Sequence, residues 1–139
     1  MTESTSAEPG IAAAVVVRGG RVLMVQRRIA EGELSWQFPA GEIEAGETPE
    51  AAAVRETAEE VGLAVKAVGL LGERVHPKTG RRMSYTACEV VSGAATVVDT
   101  EELAELAWVT CEQIAEFVPY GLFEPVQAHL DDRLRPGAV

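Results

Sequence analysis

Apolar positions along this chain fall into short, separated runs, and each run has a period or a boundary that predicts an element. Ile11–Val17 and Val22–Val25 are rich in β-branched residues, and Arg18-Gly19-Gly20-Arg21 between them suits a hairpin turn. Residues 29–35 predict a loop, followed by the short segment Trp36-Gln37-Phe38-Pro39, after which Pro39, Gly41 and Gly46 keep the chain irregular up to Thr48. Thr48-Pro49 predicts a helix start, because Thr caps free amides and Pro fits the first helical position, and the helix should stop at Gly62. Two further strands are predicted over 64–75 and 83–91, joined by the polar turn 77–81. A short strand over Leu106–Val109 and helices over 111–117 and 121–132 complete the pattern. The order strands, helix, strands, helix predicts an α/β fold: a mixed sheet flanked by helices.

On a wheel of about 100° per residue, Ala51, Val54, Ala58 and Val61 gather on one side of the predicted helix, an apolar stripe able to pack on a sheet. Glu56, Glu59 and Glu60 gather on the opposite side at spacings i, i+3 and i+4. Like charges so placed disfavour an isolated helix by roughly 0.2–0.5 kcal/mol per pair, and Arg55 is the compensating charge beside them. Three carboxylates on one face offer hard oxygen ligands suited to Mg²⁺ or Mn²⁺.

Composition narrows the reading. The chain of 139 residues fits one domain, expected over residues 11–135 with residues 1–10 as a flexible tail. Twelve basic against 22 acidic residues give a net charge of −10, which opposes binding to nucleic acid through phosphate neutralisation. An acidic protein that handles phosphates needs cations as a bridge. The amino-terminal stretch has no Lys or Arg, the wrong charge for a signal peptide, and Ile11–Val17 is too short for a bilayer needing roughly 20 helical residues. A soluble, cytoplasmic protein without membrane contact is therefore expected. Cys88 and Cys111 show no metal-finger spacing, and a reducing compartment with free thiols is the simpler expectation.

Gly41, Glu47, Arg55, Glu56, Glu59, Glu60 and Gly62 stand as G-x5-E-x7-R-E-T-x-E-E-x-G-L over residues 41–63. This resembles the Nudix box, the signature of hydrolases that cut a nucleoside diphosphate linked to another group. Thr57 departs from the usual aliphatic residue, and Ala40 stands where a glycine often precedes the box; neither change removes a charge. The resemblance implies a MutT-like α/β/α sandwich and a Mg²⁺- or Mn²⁺-dependent pyrophosphohydrolase. It implies Glu56, Glu59 and Glu60 as metal ligands and as part of the catalytic set, with a backbone carbonyl at Gly41 as a further ligand. Glu47 would support a metal-bound water or pair with Arg55, the organiser of the glutamates. A later-loop carboxylate is implied as well, with Glu102 first among Glu101, Glu102 and Glu105.

Arg27 and Arg28 end the second strand and are candidates to meet phosphate oxygens bidentately. Lys78, Arg81 and Arg82 form a second basic cluster. Trp36 and Phe38 are candidates for stacking on a base, whereas His76 and His129 read as turn and helix residues. The expected substrate is a small nucleotide, a (deoxy)nucleoside triphosphate or its damaged form. A nucleotide sugar such as ADP-ribose is the alternative, with Pro77 near but not at the position usual for those enzymes. A nucleotide-sensing module without catalysis is the rival from another class. Oligomeric state is left open by the sequence.

Overall fold

The computed structural model describes residues 8–29 and 32–134. Most of the predicted tail and the end of the chain lie outside these residues. The elements run β1 (Ile11–Arg18), β2 (Arg21–Arg28), β3 (Leu34–Gln37), β4 (Ala40–Glu42), α1 (Pro49–Val61), β5 (Ala64–Val75), β6 (Arg82–Ser92) and β7 (Leu103–Val109). A 3-10 turn (Cys111–Gln113), α2 (Ile114–Phe117) and α3 (Glu124–Arg133) follow. The strands form one mixed sheet in the order β3-β2-β1-β6-β5, with β4 pairing β1 and β7 pairing β2. β1 runs parallel to β6, and the other pairs are antiparallel.

The apolar run of β1 is buried on both faces, which is why it reads as continuous rather than alternating. Ala12, Ala14 and Val16 pack with Ala52, Ala53 and Val61 of α1 on one face. Ala13 and Val15 pack with Ile114, Val118, Val126 and Leu130 on the other. The result is the helix–sheet–helix sandwich expected from the sequence.

α1 begins and ends as the local residues dictate. The Thr48 side chain accepts from the Ala51 amide, and Gly62 adopts φ 68° at the carboxyl end, a conformation that favours glycine. Its packing face is a correction. Ala51 and Ala58 are exposed, while Ala52, Ala53, Thr57, Glu60 and Val61 are buried. Alanines occur all round this helix, so apolar pattern alone does not select a face. The buried arc instead runs through Glu60, whose charge is met by a partner from β2. Thr57 fits this core position because its hydroxyl donates to the Ala53 carbonyl at 2.7 Å.

Other corrections are smaller. Residues 40–42 pair with the start of β1, so part of the stretch expected to be irregular is a strand. β7 starts at Leu103 rather than Leu106, and α3 starts at Glu124, after Phe123. Both cysteines are free, and no described helix is long and apolar enough to cross a membrane.

Candidate active site

Two backbone features bring the box residues together. β4 lies against β1 with Ala12 opposite Gly41, which sets Gly41 beside α1. After β6 the chain returns along the carboxyl end of α1, where the amides of Thr96 and Val98 donate to the carbonyls of Val61 and Glu60 at 2.9 Å each. That return places Asp99 and Glu102 at the same end of the helix. Between them opens a cleft of 1160 Å³, walled by Glu56, Glu59, Glu60, Arg27, Arg81 and Asp99 among others.

The Glu56 carboxylate lies directly on the backbone of Gly41, where any Cβ would overlap it. This close approach, rather than a special torsion, requires glycine here. Burial pushes the Glu56 carboxyl upward, opposed by Arg55, whose Nη1 donates to it at 2.8 Å. Arg55 also donates from Nε and Nη2 to the two oxygens of Glu47 at 2.7 and 2.9 Å, and from Nη1 to Glu59 at 3.3 Å. Its remaining reach goes to the Glu42 carbonyl at 2.9 Å. The bidentate contact with Arg55, helped by the Glu44 amide, holds the Glu47 carboxyl down to about 2. The same contact raises Arg55 above the usual guanidinium range.

Glu60 is the buried member, with a side chain 5% exposed. Arg27 Nη2 donates to both its oxygens at 3.1 Å, and the Ala40 amide donates to Oε1 at 3.3 Å. Burial nevertheless dominates and pushes the Glu60 carboxyl up to about 7. Arg27 Nη1 also donates to Glu102 at 3.2 Å. Glu59 is 58% exposed and reaches solvent.

The structure therefore gathers Gly41, Arg55, Glu56, Glu59, Glu60 and Glu102 at one cleft, with Glu47 behind Arg55 and outside the lining. Arg27 is there too, but it is committed to Glu60 and Glu102 rather than presented to phosphate. Strand alternation turns Arg28 to the opposite face of β2, so the two do not act as one phosphate clamp. Glu101 and Glu105 do not line the cleft. Trp36 meets Phe117 edge-on with centroids 4.7 Å apart, and Phe38 is a core residue 7% exposed. Both reach a second cavity of 270 Å³ that adjoins the cleft. The predicted basic cluster divides: Arg81 lines the cleft and bonds Glu42 and the Pro9 carbonyl, Lys78 lies over Tyr120, and Arg82 is exposed. His76 is a turn residue whose Nδ1 accepts from the Lys78 amide at 3.1 Å, and His129 is a half-buried residue of α3.

Asp99 was not foreseen from the sequence. Its signal is Asp99-Thr100-Glu101-Glu102, in which Asp99 Oδ1 accepts from the Glu102 amide at 3.1 Å and shapes the turn before β7.

The donors facing the cleft are carboxylates and backbone carbonyls, the chemistry of a hard divalent cation that keeps several waters. Among the described residues no three acidic, His or Cys side chains already converge as a cage. Arg55 and Arg27 hold the glutamates instead, at positions from which a cation could compete for Glu56 and Glu59. An open carboxylate site of this kind fits Mg²⁺ or Mn²⁺.

Comparison with known proteins agrees with this geometry. The profile of the NUDIX domain family matches residues 8–132. An RNA pyrophosphohydrolase of Halorhodospira halophila is 44% identical over 72 residues, covering 52% of this chain and 38% of that protein. The chain thus spans well under half the length of that curated relative. The crystal structure of a NUDIX hydrolase from Nitrosomonas europaea superposes with a TM-score of 0.77 at 20% identity, over 97% of this chain and 77% of the other. A MutT NUDIX hydrolase from Burkholderia pseudomallei gives a TM-score of 0.64 at 25% identity, over 88% and 95%.

Proposed function

The chain belongs to the NUDIX family, and from that premise we propose that it hydrolyses a nucleoside diphosphate linkage, acting as a pyrophosphohydrolase on (deoxy)nucleoside triphosphates. The observation that carries this reading is the single carboxylate face of α1, with Glu56 seated on the Gly41 backbone and Glu59 open to solvent.

Glu56, Glu59 and Glu60, with a carbonyl at residues 40–41, would hold Mg²⁺ or Mn²⁺. When bound, such an ion neutralises the diphosphate and lowers the pKa of attached water. The chain's own residues supply position and charge, the larger part of catalysis in reactions of this type. Arg55 fixes Glu47, Glu56 and Glu59 relative to one another through three guanidinium nitrogens. Arg27 fixes Glu60 from beneath and ties Glu102 to it. Glu102, exposed at the rim beside Arg27, would take a proton from an attacking water. Arg81 is the cleft cation whose carboxylate partners, Glu8 and Glu42, are themselves exposed, so it can turn to a substrate phosphate.

The curated relative acts on RNA by its name. Here the cleft is rimmed by Glu8, Glu42 and Glu44, a charge that favours a small nucleotide over a polyanionic chain. A panel of nucleoside triphosphates, ADP-ribose and a 5′-triphosphorylated RNA, with Mg²⁺ and with chelator, tests the reading. Mg²⁺-dependent release of a monophosphate and pyrophosphate from a triphosphate is the expected result. Activity on AMP alone, giving orthophosphate, would overturn it.

A further inference from the structure

The second cavity differs from the cleft in charge. Among the described residues none that lines it is Asp or Glu, although the chain as a whole carries 22 acidic residues. Its walls are aromatic and aliphatic, with Trp36, Phe38, Tyr85 and Phe123 prominent, and its charged groups are Arg74 and Lys78. Both cations lie over rings instead of carboxylates: Arg74 is 4.8 Å from the Phe123 centroid and 5.7 Å from that of Tyr85, and Lys78 is 4.8 Å from that of Tyr120. The cavity shares Gln37, Ala40, Thr79 and Met83 with the cleft, so a molecule whose diphosphate lies at α1 can extend into it.

Arg74 uses Nε and Nη2 on the Tyr85 hydroxyl, at 3.3 Å each, and among the described residues Nη1 and the second Nη2 hydrogen meet no acceptor. His76 accepts at Nδ1 from the Lys78 amide, so its proton is assigned to Nε2, and burial with the nearby Arg74 and Lys78 disfavours its charged form. The strongest polar groups of this apolar chamber are therefore donors. A planar ring presenting acceptors on one edge fits such a lining, and a ring presenting an amino group toward Arg74 does not.

Building on the nucleotide reading above, we propose that this cavity receives the base and that Arg74 is a specificity-determining residue favouring 6-oxopurines over adenine. The O6 and N7 of guanine or hypoxanthine are paired acceptors for a guanidinium, whereas the N6 amino group of adenine sets donor against donor.

Binding of the monophosphates GMP, IMP and AMP tests this, because they contain no anhydride to cut and IMP isolates the 6-position from the 2-amino group. Calorimetry on wild type in Mg²⁺ should show GMP and IMP bound about tenfold tighter than AMP, the scale of one bidentate base contact. Arg74→Met should bring the ratio near one. Arg74→Lys, which keeps the charge and loses the fork, should still bind but discriminate less, and it carries the test if Arg74→Met fails to fold. Equal binding of IMP and AMP by wild type, a preference that survives in both variants, or no binding of any of the three overturns the proposal. A 6-oxo preference in binding without hydrolysis of any anhydride would sink the hydrolase reading alone. Hydrolysis without base preference would sink this one alone.

Discussion

Arg55 reaches its carboxylates along the solvent side of α1, whereas Arg27 rises from β2 beneath the same helix to reach Glu60. The first group is half-open: Glu59 meets water, and the depressed Glu47 carboxyl shows a charge held by well-formed hydrogen bonds. The second is closed: Arg27 and Glu60 are both largely withdrawn from solvent, and Glu60 is pushed up to about 7 despite its partner. The two arginines thus hold one pair in which hydrogen bonding wins and one in which desolvation wins. The difference teaches that a carboxylate's place on the motif does not fix its ionisation; the depth at which the helix is set into the sheet does. The open group presents Glu59 to solvent, while the closed one also ties the helix to the sheet through Arg27 and Glu60.

The largest effect on stability should come from the closed pair. Arg27→Met leaves Glu60 buried without its cation, a change that costs about 3 kcal/mol or more where the carboxylate stays charged. Because Glu60 can take up a proton instead, thermal melts should show a larger loss at pH 8 than at pH 6. An equal loss at both would mean that Arg27 acts through packing. Arg55→Met should reverse the balance: a smaller stability loss, since its partner Glu59 is exposed and Glu47 keeps the Glu44 amide, with turnover reduced by about a hundredfold through misplaced glutamates. If its turnover is normal, the open group does not organise the site.

The two groups should also leave opposite marks on the pH dependence of stability in chelator. Glu60 is raised in the folded state, so between its ordinary value of 4.5 and about 7 the folded protein holds the extra proton, and stability falls as pH rises. Glu47 is lowered to about 2, so its contribution is present above 4.5 and is lost as pH falls toward 2. Glu60→Gln should flatten the upper window and Glu47→Gln the lower one, read by denaturant titration across pH. The smallest effect belongs to Glu59→Gln. Its exposed pairing with Arg55 is worth a few tenths of a kcal/mol, so it should melt close to wild type in chelator yet gain less from added Mg²⁺. A full Mg²⁺ gain would remove Glu59 from the cation's partners.

Local rules carried much of this fold. The hairpin before β2, the Thr48 cap with Pro49 and the Gly62 stop are decided within a few residues, and each is where the sequence pattern put it. The gathering of Gly41, Arg55, Glu56, Glu59 and Glu60 at one cleft was legible because a fixed spacing places those side chains on one turn-and-helix unit. What the pattern left out is long-range. The face of α1 depends on Arg27, 33 residues away from Glu60, and an alanine-rich helix offers no apolar contrast to reveal it. The short strand β4 forms because β1 supplies a partner, against the local turn signals of Pro39 and Gly41. Asp99 enters the cleft only because the chain after β6 returns along the carbonyls of Glu60 and Val61.

On the proposed reading, the carboxylate face of α1 cuts a nucleoside diphosphate linkage with the help of a divalent cation. Phosphorus NMR of products from a nucleoside triphosphate, with wild type and Glu56→Gln in excess Mg²⁺ and in chelator, tests it most directly. Expected are a monophosphate and pyrophosphate from wild type in Mg²⁺, no turnover in chelator, and a rate lower by at least about a hundredfold for a folded Glu56→Gln protein. Undiminished cleavage by Glu56→Gln, or cleavage by wild type that chelator leaves untouched, would contradict it.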